Sequence, residues 1–165
     1  MPQKRKVLKV EPFDDIQVIG IITTNRDYKL AWYLNNFLKT DFGKEADIAI
    51  KAADGEQLIF PFYYFNAGEN QNVYNLIGNK SQGTPFSNLK LKTDFFLIIR
   101  NSITNAKLNE VISLIKSIPG VQLAYRIDPA AEKNIDWVLE QIELHEFNTI
   151  YKQRKRLRKG TNTTP

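Results

Sequence analysis

The chain contains no cysteine, one histidine and one methionine among its 165 residues. Without cysteine there is no disulfide framework, no thiolate ligand for zinc and no thiol nucleophile. The single imidazole, His145, leaves no histidine cluster for a metal and no partner for proton relay. Long apolar runs are also lacking: nothing approaches the roughly 20 residues of a membrane-crossing helix. The first residues hold no signal-peptide apolar core. The expectation is a cytoplasmic protein without membrane insertion. Phosphate-loop spacing is absent, because Gly78-Asn79-Lys80-Ser81 has neither the earlier glycine nor the Gly-Lys pair. Asp14-Asp15 stands without metal-loop spacing. These absences point to no cofactor, no metal site and no catalytic constellation, hence to a non-enzyme.

What is present is enough for a core. Hydrophobic residues make up 42% of the chain and aromatics 12%, which excludes global disorder and fits one domain. The net charge of +5 divides into +4 over residues 1–9, −5 over residues 10–151 and +6 over residues 152–165. The body is acidic and both ends are basic.

The apolar pattern sets an element order. Val7–Val10 reads as a short edge strand. Ile16–Ile22 reads as a strand buried on both faces, with Gly20 marking a close approach. Arg26–Leu38 carries a helical apolar stripe, with Thr24-Asn25 as its cap. Strands at Asp47–Lys51, Leu58–Phe65 and Val73–Ile77 are joined by turns, one at Asp54-Gly55. Pro61 favours an edge or a bulge for the second of these. Phe95–Arg100 is another buried strand. The stripe Leu108, Val111, Ile112, Ile115 and Ile118 makes a helix capped by Thr104 or Asn105 and ended by Pro119-Gly120. Val121–Ile127 alternates as a strand. Asp128-Pro129 signals a last helix with the stripe Ile135, Val138, Leu139 and Ile142.

Two strand-helix-strand units thus bracket a meandering middle. The expected fold is α+β: a two-layer sandwich, ferredoxin-like split βαβ with an extra β-hairpin and both helices on one face. The sandwich spans 1–130, a C-terminal helix running into a basic segment spans 131–159, and 160–165 is expected to be a disordered tail. The last helix either folds back over the sheet through Ile135, Leu139 and Ile142, or projects.

Three stretches carry a resemblance. They are Ile19-Gly20-Ile21 with Asp27-Tyr28-Lys29-Leu30-Ala31-Trp32 and Leu34-Asn35; Thr93-Asp94-Phe95 through Ile99; and Ile118-Pro119-Gly120-Val121-Gln122 with Ala124–Pro129. Over about residues 7–130 the chain resembles the IPExxxVDY family, small cytoplasmic Bacteroidetes proteins of unknown function. Thr93-Asp94-Phe95 stands where that family has Val-Asp-Tyr, and Ser87-Asn88-Leu89 where it has Ile-Pro-Glu. The resemblance implies a lineage and no activity.

The residues able to carry chemistry read blandly. His145 is expected to be a solvated helix residue. Asp94 and Asp128 match the family pattern and invite a carboxylate-pair reading, but structural capping is the commoner task of Asp at element ends. The strand Phe60-Phe62-Tyr64 is expected to serve core packing or a dimer surface, ahead of base stacking. Trp137, Leu144 and Tyr151 form a heptad-spaced line suited to a protein contact. The strongest feature outside the core is Lys152, Arg154, Lys155, Arg156, Arg158 and Lys159, six bases in eight residues, suited to phosphate neutralisation. The functional expectation is a non-catalytic binding or adaptor protein whose tail contacts RNA or a ribonucleoprotein, with a protein partner or homodimer. The alternative is a ligand-sensing or self-associating ACT-like regulatory domain in which the aromatic strand forms a dimer sheet and the tail is incidental.

Overall fold

The computed structural model describes residues 15–81, 83–86, 92–132 and 134–151. In chain order these form β1 (Gln17–Thr23), α1 (Asp27–Leu38), β2 (Gly43–Lys51), β3 (Gln57–Asn66), β4 (Val73–Gly78), β5 (Lys80–Ser81), β6 (Thr84–Pro85), β7 (Phe95–Arg100), α2 (Asn105–Lys116), β8 (Val121–Ile127) and α3 (Ile135–Glu146), followed by a π-helical turn, Phe147–Tyr151. The Val7–Val10 strand, the Ser87–Leu89 triplet, the basic segment and the 160–165 tail lie outside the described residues, as does the Tyr151 side chain.

Six strands make one sheet in the order β2-β3-β4-β7-β1-β8, and β5 and β6 form a separate small ladder. Every pairing in the large sheet is antiparallel. The four strands β8-β1-β7-β4 have the neighbour order of a split βαβ sandwich, and the β2-β3 hairpin extends it. The class is α+β, as the element order implies.

Alternation along each strand divides the core in two. Ile19, Ile21, Leu76, Leu97 and Ile99 face α1 and α2, which contribute Leu30, Leu34, Leu108, Val111 and Ile115. Val18, Phe60, Phe62, Ile77, Phe96 and Ile98 face the other way and are covered by Ile135, Val138, Leu139 and Ile142 of α3. The last helix therefore folds back, because its apolar stripe has a full sheet face to bury against. The aromatic strand is core: Phe60, Phe62 and Tyr64 are all buried. Their side chains pack on the α3 side of the sheet, and β3 has a neighbour along each edge.

Two local expectations are corrected, and for Pro61 the bulge rather than the edge is found. Pro61 lies on β3, which has neighbours on both sides. It is tolerated there because β2 bulges opposite it, between Glu45 and Ile48. Thr24-Asn25 does not cap α1: the N-cap is Arg26, without a side-chain bond. Asp128 does not start α3, whose N-cap is Asn134. The Asp128 carboxylate instead accepts from Ala130 N at 3.0 Å, and its carbonyl accepts from Ala131 N and Glu132 N. Its hydrogen-bonding capacity is spent on a single turn, so the helix begins seven residues later. Thr104 does cap α2, its hydroxyl accepting from Lys107 N at 3.1 Å.

On the α1 side, the Tyr63 phenol donates to Asp27 Oδ2 at 2.8 Å and ties β3 to the first turn of α1. Burial, then this hydrogen bond, pushes Tyr63 far above the ordinary tyrosine value of 10.0. Burial also raises Tyr74 and is the main cause raising Tyr125. The unfolded chain releases these protons near pH 10 and the folded chain holds them. Their contribution to stability is therefore intact below about pH 10 and is lost as pH rises beyond it. Urea midpoints measured from neutral pH upward should show this decline, and Tyr63→Phe should make it shallower.

Candidate functional site

Two polar groups stand out from the apolar layers. The first joins the ends of β1, β7 and α2, where the three stretches of the family resemblance converge. Thr23 N donates to Asp94 Oδ2 at 2.9 Å, and Lys80 Nζ meets Asp94 Oδ1 at 2.7 Å. Thr23 Oγ1 donates to the Gly120 carbonyl at 2.8 Å, and Asn25 Nδ2 to the Pro119 carbonyl at 2.7 Å. Gly120 has φ +87°, and a Cβ there would come within 2.8 Å of Asn25 Oδ1. The turn is glycine for both reasons. Each Asp94 oxygen is engaged, so its position is that of a fastener between β1, β7 and the β5 ladder. Asp128 is not part of this group's hydrogen bonds, and the two acids do not make a carboxylate pair through any bond described.

The second group lies under the C-terminal end of α3. Asn75 sits between Val73 and Ile77 on β4, and Arg100 follows Phe96 and Ile98 on β7; period-two alternation turns both toward α3. Glu146 continues the α3 stripe Ile135, Val138, Leu139, Ile142 by one more turn, and is 1% exposed. Its carboxylate pairs with Arg100, Nη2 to Oε2 at 2.5 Å, and accepts from Asn75 Nδ2 at 3.0 Å. Asn75 Oδ1, Arg100 Nε and Tyr64 Oη are buried and have no hydrogen-bond partner among the described residues. A cavity of about 20 Å³, lined by Asn75, Arg100, Ile16 and Ile142 among others, adjoins the first two. That volume holds one water molecule, and the two groups offer it an acceptor and a donor.

Above this group opens a groove of about 530 Å³, lined by Arg100, Glu140, Glu143, Leu144, Glu146 and Phe147. Leu144 is 56% and Phe147 60% exposed. Its surface is thus apolar along α3 and acidic at Glu140 and Glu143, while Arg100 is neutralised by Glu146.

Of the line expected to make a protein contact, Leu144 borders this groove. Trp137 is half exposed, and its ring leans on Phe86 with centroids 5.3 Å apart. His145 is not merely solvated. Its Nε2 lies 2.7 Å from the Ala46 carbonyl on the bulged part of β2. A carbonyl only accepts, so that nitrogen carries the proton. The ring meets Phe62 edge-on at 5.0 Å. A second exposed apolar ridge runs along α1, where Tyr28 is 64% and Trp32 60% exposed.

Sequence reasoning missed Asn75, Arg100, Glu146 and Phe147. The signal was there for three of them: each is a polar residue placed in register with a buried stripe. Among the described residues, no group of three or more His, Cys, Asp or Glu side chains could hold a metal ion. No helix among them is long and apolar enough to cross a membrane. No protein-family model matches the chain, and no curated protein matches it.

Proposed function

We propose that the chain is a binding or adaptor protein, akin to the IPExxxVDY family, whose basic segment Lys152, Arg154, Lys155, Arg156, Arg158 and Lys159 contacts RNA or a ribonucleoprotein in the cytoplasm. The observation that supports it most is where that segment starts. Ile150 is 4% exposed and joins the core beneath α3, so the chain is anchored to the domain immediately before six bases in eight residues. A dense cationic segment at a fixed exit point suits phosphate neutralisation with counterion release. The acidic body adds no such attraction of its own. An adaptor needs a second contact, for which the α1 ridge and the α3 groove are the exposed apolar surfaces.

Filter binding of structured RNA at increasing salt tests the reading. Binding should weaken steeply with salt. Deleting residues 152–165 should remove most of the affinity and flatten the salt slope. Affinity and slope unchanged by that deletion would refute the reading.

A further inference from the structure

The groove along α3 combines exposed Leu144 and Phe147 with the acids Glu140 and Glu143. An occupant that complements it is basic and partly apolar. Such a segment precedes the described chain in sequence. Asp15 accepts a hydrogen bond from Ser102 Oγ at 3.1 Å. Ile16 lines the small cavity together with Arg100 and Glu143, and these two residues also line the groove. The described part of the chain therefore starts at the groove's inner wall. Before it come Lys4-Arg5-Lys6-Val7-Leu8-Lys9-Val10, with four bases, three aliphatic residues and no acid.

We propose that this N-terminal segment, Lys4–Val10, is the occupant of the groove: Val7, Leu8 and Val10 would cover Leu144 and Phe147, and the bases would meet Glu140 and Glu143. Reach allows it. The α3 stretch from Glu140 to Phe147 rises only about 10 Å. The five residue steps from Val10 to Asp15 span up to about 17 Å. The basic segment after Tyr151 is a poorer match. It leaves from the same helix end and has one aliphatic residue, Leu157, among its six bases. The proposal is independent of RNA binding. It leaves the Tyr28–Trp32 ridge exposed for a partner.

The absence of native cysteine makes a single spin label unambiguous. With a nitroxide on Val7→Cys in the full chain, the amide signals of Leu144 and Phe147 should lose most of their intensity. Adding Glu140→Lys and Glu143→Lys should restore them. So should salt near 1 M, where screening acts within about 3 Å. Unchanged signals at Leu144 and Phe147 in the labelled chain would overturn the proposal. So would broadening that appears only when spin-labelled and isotope-labelled chains are mixed, which would assign the groove to a second copy. Broadening from a label at Leu157→Cys and not from Val7→Cys would assign it to the other end. None of these readouts involves RNA, so their failure and that of the RNA reading are separable.

Discussion

Glu146→Ala should cost this protein about 3–5 kcal/mol of stability, the range for removing one partner of a buried ion pair. The substitution leaves Arg100 and Asn75 Nδ2 under α3 with nothing to accept from them. For a domain of this size the melting temperature should fall by roughly 2–4 °C per kcal/mol. The loss is expected to come mostly from the stranded guanidinium, and a second variant separates that from the pair's own contribution. In Arg100→Met/Glu146→Met both charges go and aliphatic volume stays. That double variant should recover much of the stability lost in Glu146→Ala. Thermal or urea unfolding of the single and double variants measures this. A double variant as unstable as Glu146→Ala would mean that the pair itself, and not the stranded charge, carries the energy.

Gly78→Ala should be the most damaging of the conservative backbone changes in the sheet. A Cβ at residue 78 would stand 2.6 Å from Pro61 Cγ and 2.8 Å from Pro61 Cδ. At Gly20 the comparable neighbour is the Tyr125 ring, 2.7 Å away, which can swing at the cost of its bond to Thr93. Pro61 has no such freedom, since its ring is part of the backbone. The strands β3 and β4 must separate, and overpacking of this kind costs about 1–3 kcal/mol. Combining Gly78→Ala with Pro61→Ala should relieve most of it. Unfolding midpoints of the three variants decide the matter, and additive losses would disprove the clash.

The fold was legible where burial is expressed as periodicity. Phe95–Arg100 and the stripes of α1, α2 and α3 each have one place to go, and the crossover rule sends α1 and α2 to the same face. What local chemistry decides was less legible. Asp128-Pro129 has the residues of a helix start, yet the Asp side chain is satisfied two residues on, at Ala130, and the helix waits for Ile135. His145 looked solvated because its partner is a carbonyl at Ala46, on a strand far away in sequence. The Arg100–Glu146–Asn75 group failed to register for a different reason. Each member was read alone as a polar residue at an element's end or interior, and only the pairing of β4 with β7 and the docking of α3 bring them together.

The position of β1 carries a kinetic consequence. It lies inside the sheet, yet its two neighbours are among the last strands synthesised: Gln17 pairs with Ile99 and Val18 with Ile127. During translation the β2-β3-β4 meander can close from local contacts, while Val18-Ile19-Gly20-Ile21-Ile22 waits for strands about a hundred residues downstream. Loop closure over that distance is slow, and an unpaired β-branched stretch invites association with other chains in the interval. Slow refolding that becomes less efficient as protein concentration rises is the behaviour this connectivity imposes.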